Sequence, residues 1–98
     1  MSIYDKILRW AGARLLLDTD YRFNQLAKTM EEVGELASAV IKDNREAQKD
    51  AIGDVVVTLT ILAHQLGLNI EECIEHAYSN IANRKGAIKN GFFIKEEI

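Results

Sequence analysis

The chain has 98 residues, a net charge of −3 and an apolar share of 48%. That length predicts one domain, residues 1–98, and so short a domain is often stabilised by assembly with further copies. Lysine and arginine form no basic run, so we expect no polymeric nucleic acid as a partner. The single cysteine, Cys73, excludes an internal disulfide bond and a cysteine-based zinc site.

The apolar segments predict a cytoplasmic protein without membrane association. The first ten residues carry charges where a signal peptide would have an apolar run. The longest apolar stretch runs from Val55 to Ala63, is broken by Thr58 and Thr60, and is too short to span a bilayer.

The first two predicted helices lie in the N-terminal half. Ser2 and Asp5 have the spacing of a capping box, which predicts a helix that continues to about Leu17. A second helix is predicted from about Tyr21 to Lys42. Its apolar residues recur every three or four positions, as in an amphipathic helix: Leu26, Met30, Val33, Ala37, Val40 and Ile41.

Two more helices and a hairpin are predicted in the C-terminal half. The third helix covers about Glu46 to Leu66 and stops at Gly67, and the fourth begins after Asn69 and reaches about Lys85. The Asn-Gly pair at 90–91 then predicts a short β-hairpin over about 86–96. The predicted fold is all-α, an antiparallel four-helix bundle with a short C-terminal β-hairpin.

Three acidic residues mark the second helix. Glu35 lies four positions after Glu31 and three positions after Glu32. At this spacing the three carboxylates share one side of the helix. One interpretation is a solvated charged face, offset by Lys28 and Lys42. The other is a site that binds a cation.

The third helix carries Asp50 and Asp54 one turn apart. Residues 55–63 are apolar almost all round, which predicts a buried central helix and leaves Asp54 without a polar face. A buried carboxylate needs a partner, either a cation from another helix such as Arg14 or Lys28, or a metal ion.

The metal interpretation requires the second and third helices to face each other and combine their acids. Ligands that are all oxygen favour Mg²⁺, or alternatively Mn²⁺, over zinc. Gly34 and Gly53 have no side chain, and we expect them to allow a close approach of the two helices.

At these residues the sequence resembles the MazG family of all-α nucleotide pyrophosphohydrolases. The family pattern is Glu-Glu-x-x-Glu on one helix and Glu-x-x-Asp on the next. Residues 31–35 match the first motif, and Asp54 matches the end of the second. The resemblance implies hydrolysis of a nucleoside triphosphate between its α and β phosphates, Mg²⁺ as the cofactor, and a homodimer or homotetramer.

The resemblance also implies roles for particular residues. The implied metal ligands are Glu32, Glu35 and Asp54, with Asp50 as a further candidate. Glu31 and Glu32 are the candidate catalytic residues, with Glu31 either a ligand or the base that orients the attacking water. The candidate substrate-binding residues are Trp10, Arg14, Gln25, Lys28, Asn80, Arg84 and Lys85.

One departure from the family pattern leaves the activity open. The first Glu of Glu-x-x-Asp falls on Ala51, and Asp50 lies about 100° away from that position on the helix. Three functions therefore remain: an enzyme that removes non-standard or surplus nucleotides, a catalytically weak nucleotide- or metal-binding protein, and a structural helical oligomer whose acids form salt bridges.

Overall fold

A computed structural model describes residues 1–96, which form four α-helices, a short 3₁₀ turn and one two-stranded antiparallel sheet. The helices are α1 (Ile3–Ala13), α2 (Arg22–Ile41), α3 (Arg45–Gln65) and α4 (Ile70–Ile81). The 3₁₀ turn is Thr19–Tyr21, and the strands are β1 (Gly86–Lys89) and β2 (Phe92–Lys95). The predicted helices and hairpin are thus present.

Helix α1 begins where its capping box predicts and ends earlier than predicted. The Ser2 hydroxyl accepts a hydrogen bond from the Asp5 amide at 3.1 Å, and the Asp5 carboxylate accepts one from the Ser2 amide at 3.2 Å. The predicted end at Leu17 is wrong. Leu15 has a φ of 62°, and the Leu16 amide turns back to the Ala11 carbonyl at 3.0 Å, which closes the helix.

Helices α2 and α3 begin and end within one residue of their predicted bounds. Between them Asp43 takes a φ of 52°, which reverses the chain direction in a short turn. The Asn44 side chain then caps α3 by accepting a hydrogen bond from the Ala47 amide at 3.1 Å. At the other end Gly67 has a φ of 75°, as expected for a glycine that ends a helix.

Helix α4 ends at Ile81, four residues before the predicted Lys85. The reason is the hairpin, because the Lys85 carbonyl accepts a hydrogen bond from the Glu96 amide at 2.7 Å and so belongs to the hairpin ladder. Asn90 and Gly91 both have positive φ, of 53° and 81°, as the tight primed turn requires.

Three helices pack side by side in the described chain. Helix α2 lies along α3, and the Gln25 and Gln48 amides join the two by donating to the Thr58 and Ala39 carbonyls at 3.2 and 3.3 Å. Helix α1 packs on the same α3, with Ala11 fully buried. Helix α4 instead turns away from α3 at 103°, so one chain does not show the predicted antiparallel four-helix bundle.

The apolar surfaces of α2 and α3 are less buried than their sequences suggest. The residues of α2 that are buried are Thr29, Glu32 and Ala39. The predicted apolar stripe is exposed instead, including Met30 and Val33. The prediction of a helix buried all round is also wrong for α3, since Val56 and Leu59 are more than one-third exposed.

None of the four described helices is by itself long and apolar enough to cross a membrane. Helices α3 and α4 meet the length and composition test only when taken as a pair, with the 103° bend between them.

The packing of α1 on α3 leads to a stability prediction. Ala11 has no exposed surface, so Ala11→Leu must displace its neighbours and should lower the free energy of unfolding by about 1–3 kcal/mol. Urea unfolding followed by circular dichroism measures this change. The control is Ala13→Leu in the same helix, where the side chain is exposed and the free energy should stay nearly constant. Equal losses in both variants would contradict the packing.

Candidate metal centre

Three carboxylates from two helices converge at one edge of the α2–α3 pair. Oxygen atoms of Glu32, Glu35 and Asp54 all lie within 4.8 Å of one another. Glu32 is only 7% exposed, because it lies on the side of α2 that packs on α3. Glu35 and Asp54 are exposed, so the cluster has one buried carboxylate and two at the solvent.

The two oxygens of Glu32 have different surroundings. Glu32 Oε1 lies 3.4 Å from Lys28 Nζ, which also lies 3.5 Å from Glu31 Oε2. Glu32 Oε2 is buried and has no hydrogen-bond partner. An unpaired buried carboxylate oxygen is costly, so this atom calls for a proton or a cation.

The charges of the cluster act on one another. The protonated form of Glu35 can hydrogen-bond to Glu32, and the negative charge of Glu32 repels a charge on Glu35, so both effects raise the pKa of Glu35. The negative charge of Glu31 and the hydrogen bond to Glu32 raise the pKa of Lys28. Lys28 therefore keeps its charge, while the raised pKa of Glu35 means that this carboxylate holds a proton more readily than an isolated one.

The donor set fits a hard divalent cation. All three donors are carboxylate oxygens, which suit Mg²⁺, Mn²⁺ or Ca²⁺ better than zinc. Ligands of an octahedral Mg²⁺ lie about 3 Å apart when adjacent and about 4.2 Å apart when opposite, so oxygens within 4.8 Å of one another must move closer together to hold such an ion. The two exposed members leave one side of the cluster open for water or a phosphate.

Other acids proposed from sequence lie outside this cluster. Among the described residues, the group of oxygens that lie within 4.8 Å of one another does not include Glu31 or Asp50. Asp50 lies one turn before Asp54 and therefore about 6 Å further along the helix axis. Ala51, at the family's Glu position, is 5% exposed and brings no carboxylate to the site.

Two expectations about these helices are wrong. Asp54 is exposed and not buried, and Lys28 pairs with glutamates of its own helix, so neither a core position nor a Lys28 salt bridge explains Asp54. A Cβ atom added to Gly34 or Gly53 would meet nothing within 4 Å. These glycines therefore do not serve the approach of α2 to α3.

Trp10 lies beside Asp54, and Arg14 packs on Trp10. The Arg14 guanidinium stacks over the Trp10 ring at 4.3 Å from its centroid and donates a hydrogen bond to the Trp10 carbonyl at 3.0 Å. Trp10 and Asp54 line the same shallow cleft, of about 400 Å³. Arg14, Gln25 and Lys28 line a second cleft, of about 510 Å³.

The remaining substrate candidates differ in their surroundings. Gln25 already uses its amide to hold α2 on α3, which is a structural role. Asn80, Arg84 and Lys85 line one cleft together, beside the end of α4 and the hairpin. That cleft has no residue of α2 or α3 in its lining, so one chain does not bring these three residues to the acids.

Lys6 is a neighbour of the site that the sequence interpretation missed. It lines the cleft that Trp10 shares with Asp54 and adds a positive charge there. Helical spacing contained the signal, because residues 6, 10 and 14 are four positions apart and share a face of α1.

Comparison with known proteins identifies related sequences. Residues 26–96 match the model of the MazG-like family. The chain is 44% identical over 64 residues to an uncharacterized 18.2 kDa protein from the rep-hol intergenic region of Haemophilus phage HP1 (strain HP1c1). The matched part is 65% of this chain and 39% of that protein, so the chain spans well under half of its curated relative. No solved structure matches the chain.

The coupling of Glu32 and Glu35 leads to a titration prediction. Glu32→Gln weakens the hydrogen bond that favours the protonated form of Glu35 and removes the negative charge that repels its ionised form, so the pKa of Glu35 should fall toward its ordinary value. Carbon-detected NMR titration of the metal-free protein measures the change. Glu31→Gln is the control and should lower the pKa of Glu35 less, because Glu31 is the weaker cause of the shift. An unchanged pKa in Glu32→Gln would contradict the geometry.

Proposed function

Because the chain belongs to the MazG-like family, we propose that it is a Mg²⁺-dependent nucleoside triphosphate pyrophosphohydrolase. It cleaves between the α and β phosphates and releases a nucleoside monophosphate and pyrophosphate. Its substrates are non-standard or surplus nucleotides, and Mn²⁺ can replace Mg²⁺. The family is associated with nucleotide pyrophosphohydrolases, which supports the class of reaction.

The observation that carries this proposal is the unpaired oxygen of Glu32. Glu32 Oε2 is buried without a hydrogen-bond partner, and oxygens of Glu35 and Asp54 lie within 4.8 Å of the Glu32 carboxylate. The salt bridge to Lys28 satisfies only the other oxygen of Glu32 and leaves this one without a partner. A cation at this point would neutralise the cluster and satisfy the buried oxygen together.

Each group has a role in the proposed reaction. Glu32, Glu35 and Asp54 would hold Mg²⁺, which would supply positive charge to the phosphates. Glu31 is exposed next to the cluster, and its carboxylate accepts a hydrogen bond from the attacking water and so orients it. Lys28 keeps its positive charge beside the cluster because its pKa is raised, and it contacts a phosphate oxygen.

The nucleoside is proposed to lie against α1. Trp10 offers an exposed ring beside Asp54, and Lys6 and Arg14 add positive charge on the same face of the helix. Asn80, Arg84 and Lys85 are left out of the proposed site within one chain, because their cleft contains no residue of α2 or α3.

A second candidate function is a metal- or nucleotide-binding protein with weak catalysis. Ala51 favours it, because this buried position is one turn from Asp54 and provides no fourth carboxylate. Three carboxylates offset the positive charge of one divalent cation, but they do not offset the charge of two. Metal binding therefore belongs to both candidates, and turnover distinguishes them.

Turnover is tested by pyrophosphate release from a panel of ribo- and deoxyribonucleoside triphosphates. We expect release with Mg²⁺ or Mn²⁺ and none with EDTA. Asp54→Asn should reduce kcat/KM by about 100-fold or more, because it removes a metal ligand on which charge neutralisation depends. The matched control is Glu71→Gln, an exposed acid on α4 outside the cluster, which should retain wild-type activity.

Thermal unfolding with and without Mg²⁺ separates the possible failures. A rise in melting temperature that Asp54→Asn abolishes, without pyrophosphate release from any substrate, would favour the binding protein. If Mg²⁺ does not raise the melting temperature and no pyrophosphate is released, the acids bind no metal, and this result would contradict both candidates.

The missing carboxylate leads to a second prediction. Ala51→Glu adds an acid three positions before Asp54, on the same side of α3, so we expect a Kd for Mn²⁺ at least about tenfold lower. Without metal the variant should unfold at a lower temperature, because it adds a charge at a buried position. Isothermal titration calorimetry and calorimetric unfolding measure the two effects. Asp50→Glu, outside the cluster, is the control and should change neither value by much.

A further inference from the structure

The glutamine at the end of α3 is buried with an unused acceptor. Gln65 is only 3% exposed, and its Nε2 donates a hydrogen bond to the Leu16 carbonyl at 2.7 Å. A carbonyl oxygen can only accept, so this bond fixes which end of the amide is the nitrogen. The other end, Oε1, accepts no hydrogen bond from the residues that the structure describes. An unpaired buried acceptor is costly, so this atom calls for a donor from a ligand or from water.

Gln65 forms the floor of a cleft. It lines the cleft of about 510 Å³ that also contains Arg14 and Lys28. The other residues of the lining are exposed or half-buried, so the glutamine lies deepest. The walls come from the residues that end α1 and from the beginning of α2, and they combine apolar and polar groups: Leu15, Leu16, Tyr21, Asn24 and Gln25.

The cleft leads away from the acidic cluster. Lys28 lies 3.4 Å from Glu32 Oε1, so one end of the cleft is beside the candidate metal ligands. Gln65 is eleven positions after Asp54 on α3, and therefore about 16 Å further along the helix axis. A ligand whose phosphates lie at the acids would thus reach Gln65 only with the group farthest from those phosphates.

Helix α1 follows the same path. Trp10 shares a cleft with Asp54, whereas the Leu16 carbonyl accepts the hydrogen bond from Gln65. Arg14 lies between these two points and lines the cleft above Gln65. A nucleoside placed against α1 therefore has its sugar near Arg14 and its base above Gln65.

The edge of a nucleobase that lies farthest from the sugar differs between the bases. Cytosine and adenine carry an amino group there, which donates hydrogen bonds, whereas thymine, uracil and guanine carry a carbonyl oxygen, which accepts them. An amino group would satisfy Gln65 Oε1. A carbonyl oxygen would face another acceptor, and both would remain unpaired.

We propose that Gln65 makes this site prefer nucleotides whose base carries an amino group on its outer edge, cytosine and adenine, over nucleotides with a carbonyl oxygen there. The inference rests on the proposed function, because it takes a nucleoside triphosphate as the ligand. Gln65 selects the base and takes no part in the cleavage of the phosphate bond.

The experiment measures Kd by isothermal titration calorimetry with Mg²⁺ and triphosphates in which a methylene group replaces the oxygen between the α and β phosphates. The bases are compared in two pairs of equal size, cytosine with uracil and adenine with hypoxanthine. Within each pair the outer amino group is replaced by a carbonyl oxygen, and the adjacent ring nitrogen gains a proton. We expect the amino base to bind with a Kd at least about tenfold lower.

Gln65→Met keeps the length of the side chain and removes the amide, so the ratio of the two Kd values should fall to about one. Gln48→Met is the matched control. Gln48 is also a glutamine of α3 whose amide donates to a backbone carbonyl, that of Ala39 at 3.3 Å, but it does not line the cleft. This variant should keep the wild-type ratio. Circular dichroism checks that both variants remain helical, and the wild-type comparison needs neither of them.

Equal Kd values within the pairs in the wild type would mean that water alone satisfies Gln65 Oε1, and they would overturn the inference. A wild-type ratio that persists in Gln65→Met, or that is lost equally in Gln48→Met, would also overturn it. In each of these cases the nucleotides still bind, so the proposed function stands. If none of the four analogues binds, the proposed function fails, and the preference of Gln65 fails with it.

Discussion

The carboxylate of Glu32, held between two helices, is the constraint on which the rest of the molecule depends. Lys28 satisfies one of its oxygens, and the other points to no hydrogen-bond donor. Helix α2 turns a partly polar side toward α3, with Thr29 and Glu32 buried together. That orientation places Glu35 next to Asp54, and it also leaves the large apolar residues of α2 on the outside. The acidic cluster and the exposed apolar face are two results of the same rotation of one helix.

Local signals allowed the beginnings of the helices to be predicted well. Ser2, Asn44 and Asn69 each cap a helix through a side-chain oxygen, and such caps depend only on neighbours a few positions away. The ends of α1 and α4 were predicted too late. Leu15 adopts a left-handed conformation that a leucine rarely takes, and Lys85 is held by a strand that follows it in sequence. Neither cause can be seen in the residues of the helix itself.

The cluster could be predicted in part, because helical spacing places Glu32 and Glu35 on one side of α2. Spacing cannot say which side of α2 faces its neighbour, and the usual rule that apolar residues point inward gives the wrong answer here. Asp50 shows the same difficulty on α3. Its position one turn before Asp54 suggested a shared site. One turn also displaces a side chain along the helix axis, and the short Asp50 side chain lies outside the cluster. Three-dimensional packing decides both questions.

Trp10 is the single tryptophan of the chain, and it lines the cleft that also contains Asp54. One face of its indole is covered by the Arg14 guanidinium at 4.3 Å, whereas about half of the side chain remains accessible. Indole emission responds to local polarity and to stacking with other rings, and the tryptophan fluorescence of this chain comes from one known place beside the acids. Trp10 can therefore serve as a fluorescent probe, and the binding of a cation or a nucleobase can be followed in the unmodified chain without a dye.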